Sequence, residues 1–122
     1  MRRALVVDDD ICIHDLAKFA LETHGWQVLI AESGDDAIRV AHEHRPDVIL
    51  LDLHMPIVDG ATTLQRLKND SSLRDIPVIL MTAPSEANES NRLHGIEPKG
   101  RIAKPFDPRE LSRLIEEKLQ GK

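Results

Sequence analysis

The chain has 122 residues, with 16 lysines and arginines against 21 acidic residues and a net charge of −5. That length makes one domain with room for a substantial core, and the acidic balance argues against nucleic acid as a direct partner. Cys12 is the single cysteine, so no internal disulfide is possible and a reducing, cytoplasmic setting fits. No apolar stretch has membrane-spanning length, and the short opening run, flanked by acids, is wrongly built for a signal peptide.

Ala4 to Val7 is a short apolar run that ends in Asp8-Asp9-Asp10, a buried strand with acids at its carboxyl end. From Ile13 onward, Leu16, Ala17, Ala20 and Leu21 recur at helical spacing, and Gly25 offers a stop. Val28 to Ala31 reads as a second strand. Ser33 then caps a helix carrying Ala37, Ile38, Val40 and Ala41, which Pro46 ends. Val48 to Leu51 is a continuous aliphatic run into Asp52, the pattern of a strand buried on both faces.

After Gly60 a helix carries Leu64 and Leu67, and a polar loop follows it. Val78 to Met81 is the fourth strand, with Thr82 at its end. Ser85 to Lys99 is expected to be a short, loosely packed helix, since it offers only Ala87, Leu93 and Ile96 as apolar residues. Ile102-Ala103 forms a minimal last strand before Lys104-Pro105. Pro108 fits the first turn of a final helix with Leu111, Leu114, Ile115 and Leu119 on one face. Strands alternating with helices in this way predict an α/β fold, a five-stranded parallel sheet covered by helices on both faces; the arrangement expected is the doubly wound, flavodoxin-like three-layer sandwich of order 2-1-3-4-5, in which strands one and three are neighbours.

Parallel strands put their carboxyl ends on one edge. Asp8 and Asp9, Asp52, Thr82 and Lys104 all fall at strand exits and converge there if the order holds. Two carboxylates about 4 Å apart repel by roughly 4 kcal/mol at an effective dielectric near 20, so one protonates or a cation intervenes. Oxygen donors of this kind suit Mg²⁺, which binds through one or two carboxylates plus a substrate phosphate. With a lysine and a hydroxyl added, the set makes a receptor for a phosphoryl group, and Asp52 is itself a competent nucleophile. Any one of these features alone is commonplace, since an isolated acidic triplet is most often a solvated loop or a helix cap. Their joint placement at strand exits carries the argument.

At this point the chain resembles, over its whole length, the receiver domain of two-component response regulators. The resemblance rests on Val6-Val7-Asp8-Asp9-Asp10, Asp52-Leu53-His54-Met55-Pro56-Ile57-Val58-Asp59-Gly60, Met81-Thr82-Ala83 and Lys104-Pro105-Phe106. It implies that Asp52 accepts a phosphoryl group from a histidine kinase or phosphotransfer protein. It also implies that Asp9, Asp52 and the backbone carbonyl of His54 ligate Mg²⁺, with Asp8 acting through a coordinated water. Lys104 would pair with the phosphoryl oxygens, and Thr82 would hydrogen-bond one of them. No enzymatic activity is expected beyond the domain's own phosphoryl transfer and slow autodephosphorylation.

Three positions depart from the family pattern. His54 and Pro84 stand two residues past the acceptor and the threonine, where side chains in the family border the path of the hydrolytic water; Pro84 has no polar side chain to orient it, whereas His54 could orient it, hydrogen-bond the phosphoryl group, or stay solvated with only its carbonyl in use. Arg101 replaces the usual aromatic, so the aromatic switch is expected to be absent, with Arg101 either outside or paired with an acid such as Glu97. Trp26 is expected to pack, Cys12 to be structural, His14 to lie at the surface, and Asp59 to cap the third helix. A haloacid-dehalogenase-type phosphatase needs an acid where His54 stands. A nucleotide-binding module needs a glycine-rich loop after the first strand, where three aspartates stand instead. The chain reads as a stand-alone receiver or one cut from a larger regulator.

Overall fold

A computed structural model describes residues 2–52, 60–82, 98–104 and 106–120. In chain order the elements are β1 (Arg3–Val7), α1 (Ile11–Glu22), β2 (Gln27–Ala31), α2 (Gly34–His44), β3 (Val48–Asp52), α3 (Gly60–Asn69), β4 (Val78–Thr82), β5 (Gly100–Ala103) and α4 (Leu111–Leu119). The five strands form one parallel sheet in the order β2-β1-β3-β4-β5. This is the doubly wound arrangement expected from the alternation of patterns.

The central strand explains why its sequence is apolar without interruption. All five residues of β3 are buried, and Val48 to Leu51 alternate between two cores. Ile49 and Leu51 join Leu5, Val7, Val78 and Leu80 under α2 and α3, where Ala37, Val40, Ala41, Leu64 and Leu67 meet them. Val48 and Leu50 join Ala4, Val6, Ile79 and Met81 on the other face, against Ala17, Leu21, Leu111 and Ile115 of α1 and α4. A period of two on a strand thus serves two helical layers at once.

The helix ends follow local chemistry. Ser33 accepts a hydrogen bond from the Asp36 amide and starts α2. Arg45 closes that helix in the left-handed conformation at φ 47°. Pro46 disfavours a further helical residue there. Gly25 takes φ 87° as the chain turns back from α1, a conformation that glycine adopts without steric penalty. Trp26 then enters the core as expected, 2% exposed. Its indole Nε1 donates to the Ser112 hydroxyl at 3.1 Å, and the Arg2 guanidinium lies 4.1 Å from its ring centroid.

Several expectations are corrected. On α1 the buried stripe is His14, Ala17, Ala20 and Leu21, so His14 is not a surface residue. Leu16 and Phe19 turn outward beside it, at 36% and 64% exposure. β5 begins at Gly100, two residues before the apolar pair, because backbone pairing with β4 extends past the side chains that are buried. A Cβ at Gly100 would stand 2.7 Å from the Lys118 side chain, a close approach that suits glycine. α4 begins at Leu111, not at Pro108. Asp107 holds the preceding turn by accepting from the Arg109 and Glu110 amides through its side chain and carbonyl. The helix expected within residues 85–99 falls mostly outside the described residues, as do Asp59 and its cap.

Ser112 is buried and satisfies a buried indole, so Ser112→Ala leaves that N–H without its partner. The expected loss is about 1–3 kcal/mol of unfolding free energy, read from urea denaturation followed by circular dichroism. An unchanged midpoint would show that the indole N–H finds another partner.

Candidate functional site

Strand register builds the cleft. Val7 is the Cα partner of Leu51 and Asp52 that of Met81, so the exits of β1, β3 and β4 lie side by side. Asp8 follows β1 and is 1% exposed, with its amide donating to the Ala31 carbonyl at 3.1 Å. Asp52 ends β3 at 5% exposure, while Asp9 is exposed at the mouth. Side-chain oxygens of Asp8, Asp9 and Asp52 all lie within 4.8 Å of one another. The three acids are therefore brought together as the strand order required.

Lys104 closes the group. It follows β5, and its amide donates to the Thr82 carbonyl at 2.7 Å, tying the two strand exits together. Its ammonium lies 2.9 Å from Asp8 Oδ2 and 3.1 Å from Asp52 Oδ1. Burial works against the charged amine, but the hydrogen bonds and fields of Asp8 and Asp52 outweigh it and hold the Lys104 pKa above its ordinary value. Lys104 is therefore a fixed cation at neutral pH. Thr82 is half-buried at the end of β4, beside the cleft.

The loop from β1 to α1 is held by short-range bonds. Asp10 caps α1 by accepting from the Cys12 amide at 2.8 Å, and its own amide donates to Asp8 Oδ1 at 2.9 Å. His14 reaches back from the first turns of α1, and its Nε2 is hydrogen-bonded to the Asp8 backbone carbonyl. Sequence reasoning missed this residue. The available signal was its place three residues before Ala17 and seven before Leu21, on the stripe that faces the sheet.

His54 and Pro84 lie outside the described residues, so the carbonyl ligand and both water-path positions do too. Arg101 is exposed on β5, opposite Leu80 in register, and Glu97 lies outside the described residues. Cys12 is exposed with a free thiol. Among the described residues no helix is long and apolar enough to cross a membrane. The donor set fits a hard divalent cation: it is all carboxylate oxygen, two members are held rigidly by burial, and the third opens to solvent.

Fold and cleft together define a class: a flavodoxin-like sandwich whose carboxyl edge carries carboxylates around one lysine. The chain belongs to the response regulator receiver family, whose model, described as a response regulator receiver domain, matches residues 4–116. It is 42% identical over 116 residues to the phosphate regulon transcriptional regulatory protein PhoB of Escherichia coli K12, covering 93% of this chain and 50% of that protein. The chain thus spans about half the length of the curated relatives it matches. Among solved structures, the signal receiver domain of a histidine kinase from Syntrophus aciditrophicus is 31% identical with a TM-score of 0.87, over 99% of this chain and 92% of that one. The receiver domain of a sensor histidine kinase from Pseudomonas aeruginosa PAO1 is 25% identical with a TM-score of 0.86, over 98% of each chain. A magnesium ion is coordinated in its active-site cleft. The protein is a receiver domain of the two-component signalling type.

Clustered carboxylates repel, and this predicts a stability cost at the mouth of the cleft. Asp9→Asn is expected to raise Tm by about 3 °C in EDTA, and to lose most of the Tm gain that Mg²⁺ gives the wild type. Thermal scans with EDTA and with Mg²⁺ check both. An Asp9→Asn variant that melts below wild type in EDTA contradicts the assignment of Asp9 to the repelling cluster.

Proposed function

We propose that Asp52 is the phosphoacceptor and that its phosphoryl group comes from the phosphohistidine of a histidine kinase or phosphotransfer protein. The observation that carries this reading is the Lys104 ammonium held within 3.1 Å of Asp52 and 2.9 Å of Asp8 at the carboxyl edge of the sheet. An oxygen of the Asp52 carboxylate attacks phosphorus; the new P–O bond forms as the P–N bond breaks, and the electron pair leaves with the imidazole nitrogen. Transfer from a nitrogen leaving group to a carboxylate needs no base on the acceptor, since the carboxylate oxygen that attacks carries no proton to remove.

The chain's own residues supply position and charge. Lys104 is placed to exchange its carboxylate contacts for phosphoryl oxygens, over which the charge of the transition state is spread. Thr82, at the end of β4, supplies a hydroxyl to one such oxygen. Asp9 and Asp52 would hold Mg²⁺ with the carbonyl of His54, and Asp8 would act through water; the ion supplies charge neutralisation of the phosphoryl oxygens. The exposure of Asp9 leaves the cleft open to a large donor.

The domain is not an enzyme in this reading. It transfers one phosphoryl group to itself, and slow attack of water on phosphorus regenerates the Asp52 carboxylate and free phosphate. Such a role fits a cytoplasmic protein with an exposed thiol.

Incubation with acetyl phosphate or phosphoramidate and Mg²⁺ is expected to add one phosphoryl group by intact mass. The adduct should be absent in EDTA and in Asp52→Asn. A wild-type protein that stays unmodified, or an Asp52→Asn variant that still gains the group, contradicts the proposal.

A further inference from the structure

His14 is a buried imidazole that the phosphoacceptor chemistry does not use. It is 6% exposed, on the face of α1 that meets the sheet, and a buried polar group costs free energy unless it is bonded. Its Nε2 meets a carbonyl oxygen, Asp8 O, which can only accept, so that nitrogen carries a proton and donates it.

The partner it has chosen is informative. Every polar atom of Asp8 is then engaged: the amide with the Ala31 carbonyl, Oδ1 with the Asp10 amide, Oδ2 with Lys104, and the carbonyl with His14. The first three fix where Asp8 itself sits. The bond from His14 fixes something else, the plane of the peptide that joins Asp8 to Asp9. A planar peptide pinned at its oxygen sets the direction in which the next residue leaves the strand. That next residue is Asp9, the exposed acid at the mouth of the cleft.

We propose that His14 is a positioning residue for metal binding: by holding the Asp8 carbonyl against α1, it aims the Asp9 carboxylate at the space it shares with Asp52. The proposal rests on the phosphoacceptor reading for the role of Mg²⁺, and on the structure for the contact. Groups that orient metal ligands from outside the coordination sphere typically contribute tenfold or more to affinity.

His14→Leu fills the space without a donor, while His14→Gln places an amide nitrogen where Nε2 stood. Folding is checked by urea unfolding followed through Trp26 fluorescence, at the opposite end of the sheet. Mg²⁺ affinity is read from amide shifts in ¹⁵N-labelled protein titrated with MgCl₂. His14→Leu is expected to bind Mg²⁺ about tenfold more weakly than wild type, and His14→Gln to stay within roughly threefold. A folded His14→Leu with wild-type affinity overturns the proposal, and so does His14→Gln binding as weakly as His14→Leu. Should His14→Leu not fold, the wild type decides: its His14 Nε2–H resonance should be present and should shift on adding Mg²⁺. An Nδ1–H tautomer, or a resonance indifferent to Mg²⁺, overturns the proposal. The two readings fail separately. A wild type that binds no Mg²⁺ and forms no phosphoryl adduct defeats the phosphoacceptor assignment, whereas an adduct in wild type with unchanged affinity in His14→Leu defeats only the role of His14.

Discussion

The Lys104 ammonium, shared between Asp8 and Asp52, joins the exits of the first, third and fifth strands at one point. Two buried carboxylates side by side repel strongly in a medium of low polarity. A cation between them offsets that repulsion, and the hydrogen bonds and fields of the two carboxylates outweigh burial and keep the lysine charged. The same arrangement prepares the cleft for phosphoryl chemistry, since a cation that can exchange carboxylate for phosphoryl oxygens is already in place. Stability and reactivity are here two uses of one charge.

Bringing that lysine to those acids is the work of the fold. Asp8 and Lys104 are far apart in sequence and meet because β1 and β5 run parallel in one sheet, with β3 and β4 between them. The register sets the exits level, and the bond from the Lys104 amide to Thr82 ties the last strand to its neighbour. The two hydrophobic layers hold this register, since a slip by one residue on β3 would exchange the two faces that α2 and α3 on one side, and α1 and α4 on the other, each need. The acidic cluster therefore stands at the edge of a sheet whose register the two hydrophobic layers hold.

Much of this was legible in the chain because the relevant signals are local and strong. The uninterrupted run into Asp52 suits a strand buried on both faces, Ser33 and Gly25 mark helix ends by their chemistry, and Trp26 at the entry of the second strand suits packing, as the structure has them. Strand exits then named Asp8, Asp9, Asp52, Thr82 and Lys104, and the structure brings the three acids and the lysine together. His14 escapes because polarity argues for the surface, while its helical spacing with Ala17 and Leu21 and its bond to the Asp8 carbonyl place it inside. Leu16 was misread for the complementary reason: an apolar residue can flank a buried stripe without belonging to it. The start of β5 escaped because backbone pairing, not side-chain burial, decides where that strand begins. Pro108 suited a helix start, yet Asp107 binds the following amides into a separate turn.

The central claim is that the phosphoryl group resides on the carboxylate at the end of β3. An acyl phosphate is reduced by borohydride to an alcohol, which converts the modified aspartate to homoserine. Peptide sequencing of the phosphorylated wild-type protein after this reduction should place homoserine at position 52 alone. Homoserine at Asp8, at Asp9 or at any other acid, with Asp52 intact, would contradict the account.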